Sequence, residues 1–132
     1  MVFYADIVFF DAKNGGRRSP GFQGYRPMVR FPDSTMLSFA RINFVTPDGR
    51  PYEMGARVPG AVVAEMCIPN DDPSAAILQT GTTFELTEGT HAIARGTITG
   101  DVRTVDFDWE FVRPPFRLVD EYDVSASDES TG

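Results

Sequence analysis

The chain has 132 residues, 42% of them hydrophobic and eleven of them Phe, enough apolar material for one domain with a core and too little for two. Its formal net charge of −7 is uneven, because nine of the nineteen acids but only three of the twelve bases fall in residues 101–132. Net acidity argues against tight binding to a phosphate backbone, whose affinity comes mostly from Lys and Arg neutralising phosphates.

Cysteine and histidine usage narrows the chemistry further. A single Cys excludes an internal disulfide, and Cys67 with the lone His91 is too little for a zinc site built from such residues. The opening MVFYADIVFF is interrupted by Asp6 and Asp11 and has no basic leader, so it does not read as a signal peptide. No run approaches the ~20 apolar residues that span a bilayer. The expectation is a soluble, cytoplasmic protein with no membrane partner, no cofactor and no metal.

In chain order, residues 2–10 alternate so that Phe3, Ala5, Ile7 and Phe9 share one face and Asp6 the other, which predicts a half-buried strand. Asn14-Gly15-Gly16 has turn chemistry, but Pro20, Gly21 and Gly24 lengthen the connection into a broad ordered loop. Residues 25–31 are extended, and residues 36–45 read as one strand with Ile42 and Phe44 opposing Arg41 and Asn43. Pro47-Asp48-Gly49 closes that strand with a turn. A Pro-Gly bend at Pro59-Gly60 precedes an apolar strand of open phase: either Val62, Ala64, Met66 and Ile68 face inward, or a bulge shifts the register. PNDDPSAA, residues 69–76, is a polar loop. Phe84 and Leu86, the turn Glu88-Gly89-Thr90, and residues 92–99 make a hairpin.

Residues 104–112, TVDFDWEFV, give the cleanest alternation, with Val105, Phe107, Trp109 and Phe111 on one face and Asp106, Asp108 and Glu110 on the other. Arg113-Pro114-Pro115 ends this strand, an irregular arm follows to about residue 124, and residues 125–132 have the composition of a disordered tail. Many short strands between Gly and Pro turns, with no amphipathic helix, predict an all-β barrel or sandwich.

Two stretches carry a family likeness. NGGRRSPGFQGYRPMVRF, residues 14–31, resembles the loop and strand near the start of the third, C-terminal domain of bacterial elongation factor Tu, and GTTFELTEGTHAIARGTITG, residues 81–100, is similar to that domain's closing hairpin. The apolar strand after Pro59-Gly60 sits between them in the same order. The resemblance spans about residues 2–100 and implies a six-stranded antiparallel barrel, with residues 101–124 as an added aromatic strand and arm. That addition either covers the barrel surface, giving a monomer, or pairs with a second copy, giving a homodimer. It does not imply the factor's activity. No GxxxxGK[ST] loop is present, so the phosphate cradle of the GTPase domain is missing from this sequence.

In the family this domain touches the tRNA T-stem. Glu88 and Gly89 fall on the family's Glu-Gly pair, whereas Met28 replaces its glutamine after Arg-Pro, and the lysine expected near Pro69 and Asn70 has no counterpart. Loss of a cation beside added acids weakens an RNA contact. The leading expectation is therefore a noncatalytic module that binds a protein partner of the translation apparatus through residues 14–25, with Arg17, Arg18, Tyr25 and Arg26 as the contact residues, since arginine forks suit carboxylates and phosphates. For the arginines taken alone, the favoured reading is that they pin a long loop to the barrel through backbone carbonyls. A tRNA-binding accessory acting through Glu88 and Gly89 is the second reading, and an enzyme of unrecognised type the third. Asp106, Asp108 and Glu110 have the ligand type for a hard cation but read as a solvent face. Cys67 reads as a buried, inert thiol, His91 as an exposed turn residue, and Ser34 and Thr35 have no base at a recognisable spacing.

Overall fold

The computed structural model describes residues 1–10, 21–32, 36–89 and 91–105. These form seven antiparallel strands: β1 (Val2–Phe9), β2 (Met28–Arg30), β3 (Ser38–Phe39), β4 (Arg41–Val45), β5 (Ala61–Cys67), β6 (Thr83–Glu88) and β7 (His91–Ile98). They pair in one sheet in the order β3-β2-β6-β7-β1-β5-β4. β3 and β4 are its two edges, yet only Ala40 separates them along the chain. Consecutive Cα atoms lie about 3.8 Å apart, so the sheet curls until its two edge strands meet end to end at Ala40.

The concave face of that curl is the core. β1 delivers Phe3, Ala5 and Ile7 to it and turns Tyr4, Asp6 and Val8 outward, as the alternation predicts. The phase left open for β5 resolves with Val62, Ala64, Met66 and Ile68 inside. Ile42 and Phe44 enter from β4, Val29 and Phe31 from β2 and the residue after it, and Phe84, Leu86, Ile93 and Ile98 from the β6–β7 hairpin. Burying each of these large side chains contributes about 1.5–3 kcal/mol. Phe84 is central: its ring centroid is 6.3 Å from Phe3 in an edge-to-face arrangement and 5.6 Å from Phe31.

Two local readings change. The strand expected over residues 36–45 breaks at Ala40 into β3 and β4, because its first part pairs with β2 and its second with β5. The polar loop expected over residues 69–76 contains a 3₁₀ turn, Pro73–Ile77, whose first turn is capped by Asp72 accepting from the Ser74 amide at 2.8 Å. After β7 the chain returns to the start of β1, where the Arg103 amide donates to the Val2 carbonyl at 3.0 Å and the Val2 amide to the Arg103 carbonyl at 2.9 Å. Val105 is buried there, and the Asn70 side chain donates to its carbonyl at 3.0 Å. The remainder of the expected aromatic strand, its acidic face and the tail lie outside the described residues.

Gly96 stands opposite Phe84 across the hairpin. A Cβ there would come within 2.2 Å of the Phe84 ring and 2.9 Å of Ile7. Gly96→Ala is therefore expected to destabilise the fold by about 1–3 kcal/mol through overpacking, measured by urea denaturation. Gly100→Ala, where an added Cβ meets nothing, is expected to shift stability by under about 0.5 kcal/mol.

Candidate functional site

The two stretches singled out in the sequence meet in space. β2 pairs with β6, placing Met28 opposite Thr87, so the residues just before β2 run beside the turn that ends β6. There the Tyr25 hydroxyl donates to Glu88 Oε2 at 2.6 Å. Gly89 follows with φ of 63°, the left-handed conformation that the turn into β7 requires. Arg26 is exposed beside this node, and the Phe22 ring lies against Tyr25 with a centroid separation of 5.6 Å. Tyr25, Arg26, Glu88 and Gly89 thus belong to one end of the sheet. Arg17 and Arg18 lie outside the described residues, as do Ser34 and Thr35.

Next to the node the outer face is apolar. Met28 stands opposite Phe39 across β2 and β3, and Phe39 and Met36 are 65% and 66% exposed. Exposed Phe and Met of this size are uncommon as a pair and fit a contact surface. Phe39 and Phe44 stand five positions apart, and the two-residue alternation that buries Ser38, Ala40, Ile42 and Phe44 turns Phe39 outward.

The described end of the long loop is held by Gln23. Its Nε2 donates to Asn43 Oδ1 at 2.8 Å, to the Tyr52 carbonyl at 3.0 Å and to the Phe44 carbonyl at 3.1 Å, while its Oε1 accepts from the Phe44 amide at 2.8 Å. Asn43 in turn donates to Glu65 Oε1 at 3.1 Å. Gln23, Asn43 and Glu65 are all buried, so Asn43 points away from the core as expected yet is covered by this loop. The Gln23 amide and carbonyl also bond to Ala56 and Gly55, tying the loop to the segment after β4. A lone glutamine between Phe22 and Gly24 offers no periodicity or motif from which this role could be read.

A third grouping lies on the convex face, one row along. Arg30, Glu85 and Arg95 occupy one register across β2, β6 and β7. Arg30 donates from Nε at 3.0 Å and from Nη2 at 2.6 Å to the same oxygen, Glu85 Oε1. A separate hollow of about 390 Å³ is mainly apolar, lined by Val8, Val45, Tyr52 and Val63, with Asp6 as its one carboxylate.

Cys67 is fully buried, with Sγ 4.0 Å from the Ile68 carbonyl. Burial pushes its thiol up to about 12, with the Glu65 carboxylate adding to the shift. His91 is exposed and begins β7 opposite Glu88, one step past the turn in which it was expected. Among the described residues no three His, Cys, Asp or Glu side chains group closely enough to hold a metal ion, and no helix is long and apolar enough to cross a membrane. No protein-family model matches the chain.

Two outcomes follow from this geometry. Gln23→Leu removes the partners of the buried Asn43 side chain and of the Phe44 backbone, and is expected to cost about 2–4 kcal/mol from the polar groups left unsatisfied. Tyr25→Phe, which loses one bond to an exposed carboxylate, is expected to cost under about 1 kcal/mol in the same denaturation assay. The Cys67 thiol, protonated and enclosed, is expected to resist an aromatic disulfide reagent at pH 8 in native protein and to react at once in denaturant. As its folded-state value is raised, its contribution to stability is present below the ordinary thiol value of 9.0 and declines as pH rises toward about 12.

Proposed function

We propose that this chain is a noncatalytic binding module, a barrel of the kind that forms the third domain of elongation factor Tu, and that it recognises a protein partner of the translation apparatus. The face used is the end of the sheet where Tyr25 meets Glu88. Counting β3 and β4 as one strand bent at Ala40 makes six antiparallel strands, the number that the resemblance implies, and this supports the barrel reading. The single observation that carries the function is the juxtaposition of Tyr25, Arg26 and Glu88 with the outward Met28 and Phe39. Tyr, Arg, Phe and Met are the residue types enriched where proteins bind one another, with aromatic and arginine anchors carrying most of the energy. The chemistry of the site supports binding rather than catalysis. The Cys67 thiol is enclosed and protonated.

The test is affinity capture from a native lysate with the purified chain and with a Tyr25→Ala, Phe39→Ser variant whose thermal melt is checked beside it. A specific protein retained by the native chain and lost by the folded variant is the expected result. If tRNA is captured instead, with affinity falling steeply as salt rises, the RNA-binding reading through Glu88 and Gly89 replaces this one.

A further inference from the structure

We propose that the cleft between Arg30 and Arg95 on the convex face is a binding site for a single carboxylate, supplied by an acidic side chain of a peptide. The cleft has a volume of about 420 Å³ and is lined by Arg30, Thr83, Glu85 and Arg95, with Phe31 and Phe84 beneath and Pro32 at the side. Three strands deliver its charges in one row. Glu85 stands directly opposite Arg30 on one side and Arg95 on the other. A single carboxylate flanked by two arginines leaves one positive charge over.

The geometry assigns that surplus to Arg95. Glu85 is engaged by Arg30 through both Nε and Nη2. Among the described residues Arg95 makes no hydrogen bond or ion pair, although it faces Glu85 across the hairpin. Its guanidinium therefore presents a planar fork of donors into a half-enclosed space that also holds the paired Arg30 and Glu85 and the Thr83 hydroxyl. Such a fork matches the two oxygens of a carboxylate, and the bond is charge-assisted on both sides. The charge count selects the ligand. A monoanion brings the row to neutrality, whereas a phosphate dianion would leave an excess negative charge beside Glu85. The net charge of −7 further disfavours a polyanion, because its approach is opposed by the whole molecule.

The site lies on β2, β6 and β7, continuous with the face that carries Tyr25 and Phe39. The peptide source of the carboxylate rests on the protein-binding reading, while the site itself does not. A partner segment anchored by its apolar side chains at Met28 and Phe39 would place an acidic residue two positions further along β2, over Arg30, since alternate residues of a strand share a face.

The experiment is a titration of the ¹⁵N-labelled chain, following the arginine Nε–H resonances, with acetyl-Gly-Glu-Gly-amide as probe and acetyl-Gly-Gln-Gly-amide as its neutral counterpart. The expected result is a saturable shift of the Arg95 resonance with the glutamate peptide and none with the glutamine peptide. Arg95→Gln, an exposed change that leaves the core intact, is expected to weaken binding about tenfold, the effect of losing one charge-assisted contact. The probe carries no apolar side chain to engage Met28 or Phe39, so failure of the protein-binding reading and failure of the carboxylate site are separate results. An equal response to both peptides, or undiminished affinity in Arg95→Gln, overturns the site. Tighter saturation of the same resonance by inorganic phosphate at matched ionic strength overturns the assignment to a carboxylate.

Discussion

The structure depends on a covalent constraint at Ala40. The two strands at opposite edges of the sheet are neighbours in the chain, so the sheet has no freedom to lie open. The curl that results makes an inside and an outside from a single sheet. Ala40 is itself buried within the core cluster, and a methyl side chain is all that the inside of the bend has to accommodate. The exposed edges are also short, since β3 has two residues and the outer side of β4 is met at Phe44, whose amide donates to Gln23 Oε1 and whose carbonyl accepts from the Tyr52 amide. Little backbone is left to template a foreign strand.

Among the described residues, it is the convex face that turns side chains outward from the sheet. That face is not uniform. Tyr25, Met28 and Phe39 form an aromatic and apolar end, Arg30, Glu85 and Arg95 a charged row beside it, and Gln23, Asn43 and Glu65 a buried polar layer under the loop. The buried layer specifies position: Gln23 has acceptors on two segments and a donor on β4, an arrangement satisfied in only one loop placement. It thereby fixes where Tyr25 emerges and makes the contact with Glu88 reproducible. An uncharged amide holds the described end of this loop, while Arg17 and Arg18 lie outside the described residues.

The closing hairpin shows the same division of labour on a smaller scale. Phe84 fills the space above Gly96 and meets Phe3 and Phe31 from other strands, so one residue joins local pairing to the distant core. On the opposite side of the same strand, Glu85 and Glu88 look outward to two different partners, Arg30 and Tyr25. Alternation along β6 thus couples core and surface.

Alternation within single strands was legible in the sequence. Phe3, Ala5 and Ile7 against Asp6, Ile42 and Phe44 against Arg41, and the hairpin around Glu88-Gly89 all follow from a two-residue period and turn chemistry, which are local properties. Tyr25 and Glu88 stand in stretches of the sequence more than sixty residues apart. Their meeting, the break at Ala40, the covering of Asn43 by Gln23 and the single row of Arg30, Glu85 and Arg95 were decided only by the tertiary structure. Each depends on which strands become neighbours, and strand order is set by the joint burial of faces far apart in sequence, a property that no local window of residues contains.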